Sequence, residues 1–132
     1  MRFAFVASDT SVAQQARRKL VAQYGDVPPA EAEVIVALGG DGFMLRTLHA
    51  HRDGQAPVYG MKLGRVGFLM NKHRLDDLPE RIAQAHAAIL YPLEMHTTDG
   101  DGVQSTAIAF NEVSLLRQSN QAAHLEVKLN GT

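Results

Sequence analysis

At 132 residues, with 45% hydrophobic residues and a formal net charge of −1, the chain is the size of one domain, or one domain plus part of another, and lacks the basic excess of a nucleic-acid or anionic-membrane binder. It has no cysteine, which excludes disulfides and thiolate metal ligands and suits a cytoplasmic protein. No apolar run approaches the roughly 20 residues that span a bilayer, and the run from Met1 to Ala7 is too short for a signal peptide.

Phe3 to Ala7 predicts a buried first strand. Ser11 with Gln14 fits a capping box. Ala13, Ala16, Leu20 and Tyr24 then make one helical stripe, and Gly25 is placed to close it. Pro28-Pro29 marks a loop. Val34 to Leu38 is apolar throughout, as expected of a strand covered by helices on both faces. A glycine loop follows, then a helix from about Phe43 to His51. Pro57 to Met61 reads as a third strand, and Leu63 to Leu69 as a second glycine-bearing loop. Asp77 with Glu80 is expected to cap a further helix in which Leu78, Ile82, Ala85 and Ile89 share a face. This β-α-β-α-β-α order implies a parallel sheet with right-handed crossovers.

From Leu93 the pattern turns antiparallel. Asp99 to Gly102 is a turn, and Val103 to Phe110 and Val113 to Arg117 are strand candidates. His124, Glu126 and Lys128 alternate with Leu125, Val127 and Leu129, and Asn130-Gly131 is a two-residue hairpin signal. The expected organisation is an α/β domain over 1–91 and the start of a β-rich domain over 92–132. A hairpin signal with no returning strand reads as a piece of something longer.

Gly39-Gly40-Asp41-Gly42 follows the buried strand directly, which places Asp41 where open α/β sheets bind their ligands. Glycines allow positive φ and close approach to a phosphate, and the next helix aims its N–H groups at the anion. A carboxylate there can take a proton from a hydroxyl or hold a metal. An ordinary turn also carries glycine and aspartate, but two glycines before the acid and one after exceed what a turn needs. The stretch is neither a P-loop nor the dinucleotide fingerprint. Arg46, five residues on, suits either a phosphate contact or a solvated helix face. Phe68 suits either a base stack or the core. Asn111-Glu112 reads either as a turn or as a hydrogen-bonding pair, the amide for an adenine edge and the carboxylate for ribose hydroxyls. The six histidines form no defensible site; His49 and His51, two apart, point to different sides of their helix.

Together, Gly39 to Gly42, Tyr59 to Leu69 and Asn111 to Arg117 resemble, in order and spacing, the bacterial NAD kinase family. The resemblance covers essentially the whole chain. The glycine-aspartate loop alone is shared with phosphofructokinases and diacylglycerol-type lipid kinases. The resemblance implies a Rossmann-like parallel sheet followed by the first antiparallel strands of a β-rich domain. It implies transfer of the γ-phosphate of ATP, or of inorganic polyphosphate, to the 2′-hydroxyl of the adenosine ribose of NAD, with Mg²⁺ or another divalent metal accompanying ATP. Asp41 would be the general base, and Gly39, Gly40 and Gly42 would frame the phosphates. Leu45 and Arg46 would border the NAD site with Phe68 against it, and Asn111 and Glu112 would hold the adenosine end. NAD and ATP are then the partners, in a homo-oligomer that engages neither nucleic acid nor membrane. Lys62 stands where the family usually has asparagine and receives no role. The family's downstream Gly-Ser-Thr-Ala-Tyr-like segment, which completes the NAD pocket, is not among these residues, so they are expected to show little activity alone. The alternatives are a related lipid or sugar kinase and a non-catalytic nucleotide-binding module; Asn111-Glu112 in its setting favours a nucleoside.

Overall fold

The computed structural model describes residues 1–65 and 69–132. Four strands, β1 (Phe3–Ala7), β2 (Val34–Gly39), β3 (Val58–Lys62) and β4 (Asn71–Lys72), form a parallel sheet in the order β1-β2-β3-β4. Between them run α1 (Ser11–Tyr24), a 3₁₀ turn (Pro29–Glu31) and α2 (Asp41–Ala50); α3 (Leu78–Ala83) follows β4. A separate antiparallel pair, β5 (Leu93–Thr98) and β6 (Gln104–Ala109), comes last. Among the described residues no helix is long and apolar enough to cross a membrane.

The sheet forms because its central strand must be hidden on both faces. All six residues of β2 are buried. Val34, Val36 and Leu38 join Phe3, Phe5, Leu20, Tyr59, Met61 and Leu78 on the side of α1 and α3, while Ala37 packs with Met44 and Met70 on the side of α2. This is the period-2 alternation of a strand with a helix layer on each side. Burial of each large apolar side chain contributes about 1.5–3 kcal/mol.

Each outer strand has outward backbone groups engaged by side chains. On β1, Phe5 N–H donates to Asp26 Oδ1 at 2.9 Å and Phe5 C=O accepts from Arg17 Nε at 2.7 Å. Arg17 and Asp26 close the circuit as an ion pair at 2.5 Å. Two side chains thus occupy the hydrogen-bonding positions of a neighbouring strand. On β4, Arg81 donates to the carbonyl of Lys72 at 2.8 Å.

Several elements differ from expectation for identifiable reasons. The cap of α1 is Thr10, whose hydroxyl accepts from Ala13 N–H at 3.3 Å; Ser11 is already helical. Gln14 instead donates to the carbonyl of Ser8 at 3.0 Å. Gly25 does end the helix, with φ +79°. Helix α2 begins at Asp41, two residues before the expected start. Helix α3 stops at Ala83, because Ala85 and Ile89 have no surface to pack on and both are exposed. Asp77 flanks that helix in the left-handed region, at φ 52°, and makes no side-chain cap. The strands expected at 113–117 and within 122–129 do not form: neither segment pairs, and Leu115, Leu125 and Val127 are exposed. Asn130 and Gly131 nevertheless turn as expected, with φ 52° and 83°, and Leu129 and Thr132 exchange two backbone hydrogen bonds.

Candidate functional site

The site is built at the junction of β2 and α2. Gly39 ends the strand under the ring of Phe43; a Cβ there would stand 2.9 Å from Phe43 Cβ, so the tight turn requires glycine. Gly40 precedes the helix with extended backbone, φ −111° and ψ −178°. None of Gly39, Gly40 and Gly42 takes positive φ, so the expected left-handed loop is not used. The reason is that α2 starts at once and leaves no loop to turn. What Gly40 and Gly42 supply is space: among the described residues nothing lies within 4 Å of where their Cβ atoms would stand.

Asp41 is the first residue of α2, and its side chain is 35% exposed. It makes no side-chain cap at the start of its own helix. Among the described residues its Oδ1, although buried, has no hydrogen-bond partner. Its Oδ2 lies 3.9 Å from the ammonium of Lys62, at the carboxyl end of β3. Parallel pairing sets Lys62 beside Gly39, and Leu63 N–H continues that pairing to the carbonyl of Gly39 at 3.4 Å. Lys62 is the residue that motif reading left without a role. The parallel register of β2 and β3 is the signal that finds it, since residues ending adjacent strands share one rim.

Arg46 does not reach Asp41. It is exposed on α2 with its guanidinium carbon 6.0 Å from the Phe43 ring centroid, a cation–π arrangement. Leu45 is half-buried on the same helix. Phe68 lies outside the described residues. Asn111 and Glu112 are exposed. Just before them, the Phe110 ring stands edge-on to His49 at 6.2 Å, in the last turn of α2. Eight residues of helix separate His49 from Asp41, about 12 Å of rise. The structure therefore gathers Gly39, Gly40, Asp41, Gly42 and Lys62 at one end of α2, and brings the approach to Asn111-Glu112 to the other.

Two shallow concavities, of about 410 and 470 Å³, lie elsewhere: one beside β1 at Arg17 and Asp26, the other around Arg2, Ile35 and His51 at the amino ends of the strands. Among the described residues no three His, Cys, Asp or Glu side chains gather to hold a metal.

Residues 2–91 match the family model of the ATP-NAD kinase N-terminal domain. The chain belongs to the NAD kinase family. It is 56% identical over 130 residues to an NAD kinase of Xylella fastidiosa, a match covering 98% of this chain and 50% of that protein. It is 53% identical over 130 residues to an NAD kinase of Caulobacter vibrioides, covering 98% and 50%. A Xanthomonas campestris NAD kinase is 54% identical over 132 residues, covering 98% and 51%. The chain thus spans about half the length of the curated relatives it matches. The parallel sheet with its helices is the expected Rossmann-like NAD kinase fold, and the small antiparallel sheet follows it as expected.

Proposed function

We propose that these residues belong to an NAD kinase that transfers the γ-phosphoryl group of ATP, or the terminal one of polyphosphate, to the 2′-hydroxyl of the adenosine ribose of NAD. The observation that carries this reading is Asp41: a carboxylate at the rim of the central strand, with one oxygen unpartnered among the described residues and no helix cap to make. The 2′-oxygen attacks the γ-phosphorus, Asp41 takes its proton, and the bond from that phosphorus to the β,γ-bridging oxygen breaks, releasing ADP. Such transfers depend mainly on positioning and charge neutralisation, so one base and an open anion cradle suffice.

Gly39 shapes the turn, and Gly40 and Gly42 leave room for phosphates. Leu45, Arg46 and Phe68 border the NAD site. Asn111 and Glu112 hold the adenosine end through an amide and a carboxylate. The length of α2 between Asp41 and the approach to that pair supports a ligand as long as a dinucleotide. The divalent metal is proposed to be Mg²⁺. A single carboxylate fits an ion that arrives with the nucleotide, since Mg²⁺ is commonly held by one or two carboxylates plus phosphates. When bound, it neutralises charge on the phosphate oxygens.

Residues 1–91 form the α/β domain in this reading, and 92–132 open the β-rich domain, in a cytoplasmic homo-oligomer. The exposure of Leu115, Leu116, Val127 and Leu129 supports a covering partner there. A coupled assay of NADP formation from NAD, ATP and Mg²⁺ tests the function. The chain is assayed alone, where little turnover is expected, and joined to the C-terminal half of a relative, where NADP is expected. No product from the folded, joined protein overturns the proposal. Asp41→Asn should lower kcat by about 10²–10⁴-fold with the melting temperature retained.

A further inference from the structure

We propose that Lys62 is the phosphate-binding cation of this site. Its ammonium rests against Asp41 when no ligand is bound and moves to the oxygens of a di- or triphosphate ligand when one arrives. The inference rests on the Asp41 rim being a phosphoryl-transfer site.

Three observations lead there. The first is that Lys62 is held in place by its backbone: β3 pairs it with Gly39, so its Cα cannot drift from the glycine turn. The second is the geometry of its contact with Asp41. At 3.9 Å the Nζ–Oδ2 separation is an ion pair without being a hydrogen bond, whose heavy atoms stand 2.7–3.2 Å apart. Among the described residues Asp41 Oδ1 is also unpartnered, and the Lys62 side chain is only 24% exposed. An ammonium and a carboxylate serving stability alone would close that gap, because a charge-assisted hydrogen bond is stronger than a long contact. Here both hold back binding capacity.

The third observation is the room around them. The space that the described residues leave over Gly40 and Gly42 is where an anion can enter. A base with no cation near it would repel a polyphosphate, whereas lysine is a compact point charge suited to phosphate. The cation on α2 itself, Arg46, is engaged over Phe43. Transfer of the Lys62 ammonium to a phosphate oxygen also leaves Asp41 Oδ2 unpaired and available to a hydroxyl proton.

The test is calorimetric titration of inorganic tripolyphosphate, without metal, into the full chain. Lys62→Met and Lys62→Asn should each weaken binding about tenfold or more, with Lys62→Arg much closer to the original. Asp41→Asn should tighten binding, because the carboxylate no longer competes for the ammonium, and most of that gain should vanish when Lys62→Met is added. Unchanged affinity in both neutral variants, no binding by the original chain, or a full Asp41→Asn gain without Lys62 would each overturn the proposal. Thermal melts of every variant exclude unfolding as the cause. The titration reads no turnover, so failure of the NADP assay with lysine-dependent binding intact would refute the kinase reading and leave the cation in place.

Discussion

The parallel sheet and the antiparallel pair are both built of short strands with two faces each, yet they meet different fates. In β2 all six residues are buried, because α1 and α3 cover one face and α2 the other. In β5 only Met95 is even half-buried, and beyond β6 the alternating Leu125, Val127 and Leu129 stay exposed. Period-2 alternation marks which side chains share a face. It does not supply the layer that hides them, and without that layer the hydrophobic term contributes little.

The sharpest test is to delete one leucine from each region. Leu38 is fully buried within the main cluster, whereas Leu116 is 93% exposed. Leu38→Ala should cost about 2–5 kcal/mol, the transfer term plus an unfilled cavity. Leu116→Ala should stay within about 0.5 kcal/mol. Urea unfolding of both variants measures the contrast, and equal losses would mean that the C-terminal segment carries a core of its own.

A second contrast concerns the outer strand of the parallel sheet. Phe5 has both outward backbone groups satisfied by Asp26 and Arg17, and the two side chains also pair with each other. Asp26→Ala removes the acceptor for the N–H and strands the guanidinium. The expected loss is about 1–2 kcal/mol, modest because both side chains retain some solvent. With the edge unblocked, β1 becomes a template for another strand. Sedimentation over a range of concentrations should show association in the variant. A monomeric, fully stable Asp26→Ala would show that the side-chain circuit is incidental.

The part of this architecture that could be read from residues alone was the part governed by local rules. Phe3 to Ala7 and Val34 to Leu38 are strands because they are short apolar runs bounded by polar residues or glycine, and Gly25 closes α1 because only glycine takes its φ of 79° without strain. Asp41 was legible as a rim carboxylate for the same reason. The rest depended on packing at a distance. Helix α3 is short because nothing meets Ala85 and Ile89, and its starting Asp77 is not the cap that the Asp-x-x-Glu spacing suggested. The neighbourhood of Lys62 depended on which strands lie side by side and in what register, which no local window contains. Arg46 is a local case: exposed on α2, it stands over the Phe43 ring one helical turn away, a neighbour that sequence spacing does contain.

The smallest effect expected is a pH dependence confined to the parallel-sheet half. His73 follows β4, and its Nε2 is buried without a partner among the described residues. Burial first, then the nearby Arg81 and Lys19 cations, hold its imidazole below the usual histidine range. In the unfolded chain the ring titrates near 6.5, so as pH falls from there toward the folded value the unfolded state takes up a proton that the folded state refuses. The stability conferred by the neutral ring is complete above that window and is lost through it. Urea midpoints at pH 8 and pH 5.5 should therefore diverge more in the original chain than in His73→Gln, which has nothing to protonate. The subtraction cancels the carboxylates common to both proteins and leaves the imidazole alone. Equal divergence would mean that solvent reaches the ring, and that burial in this half ends at β4 rather than continuing past it.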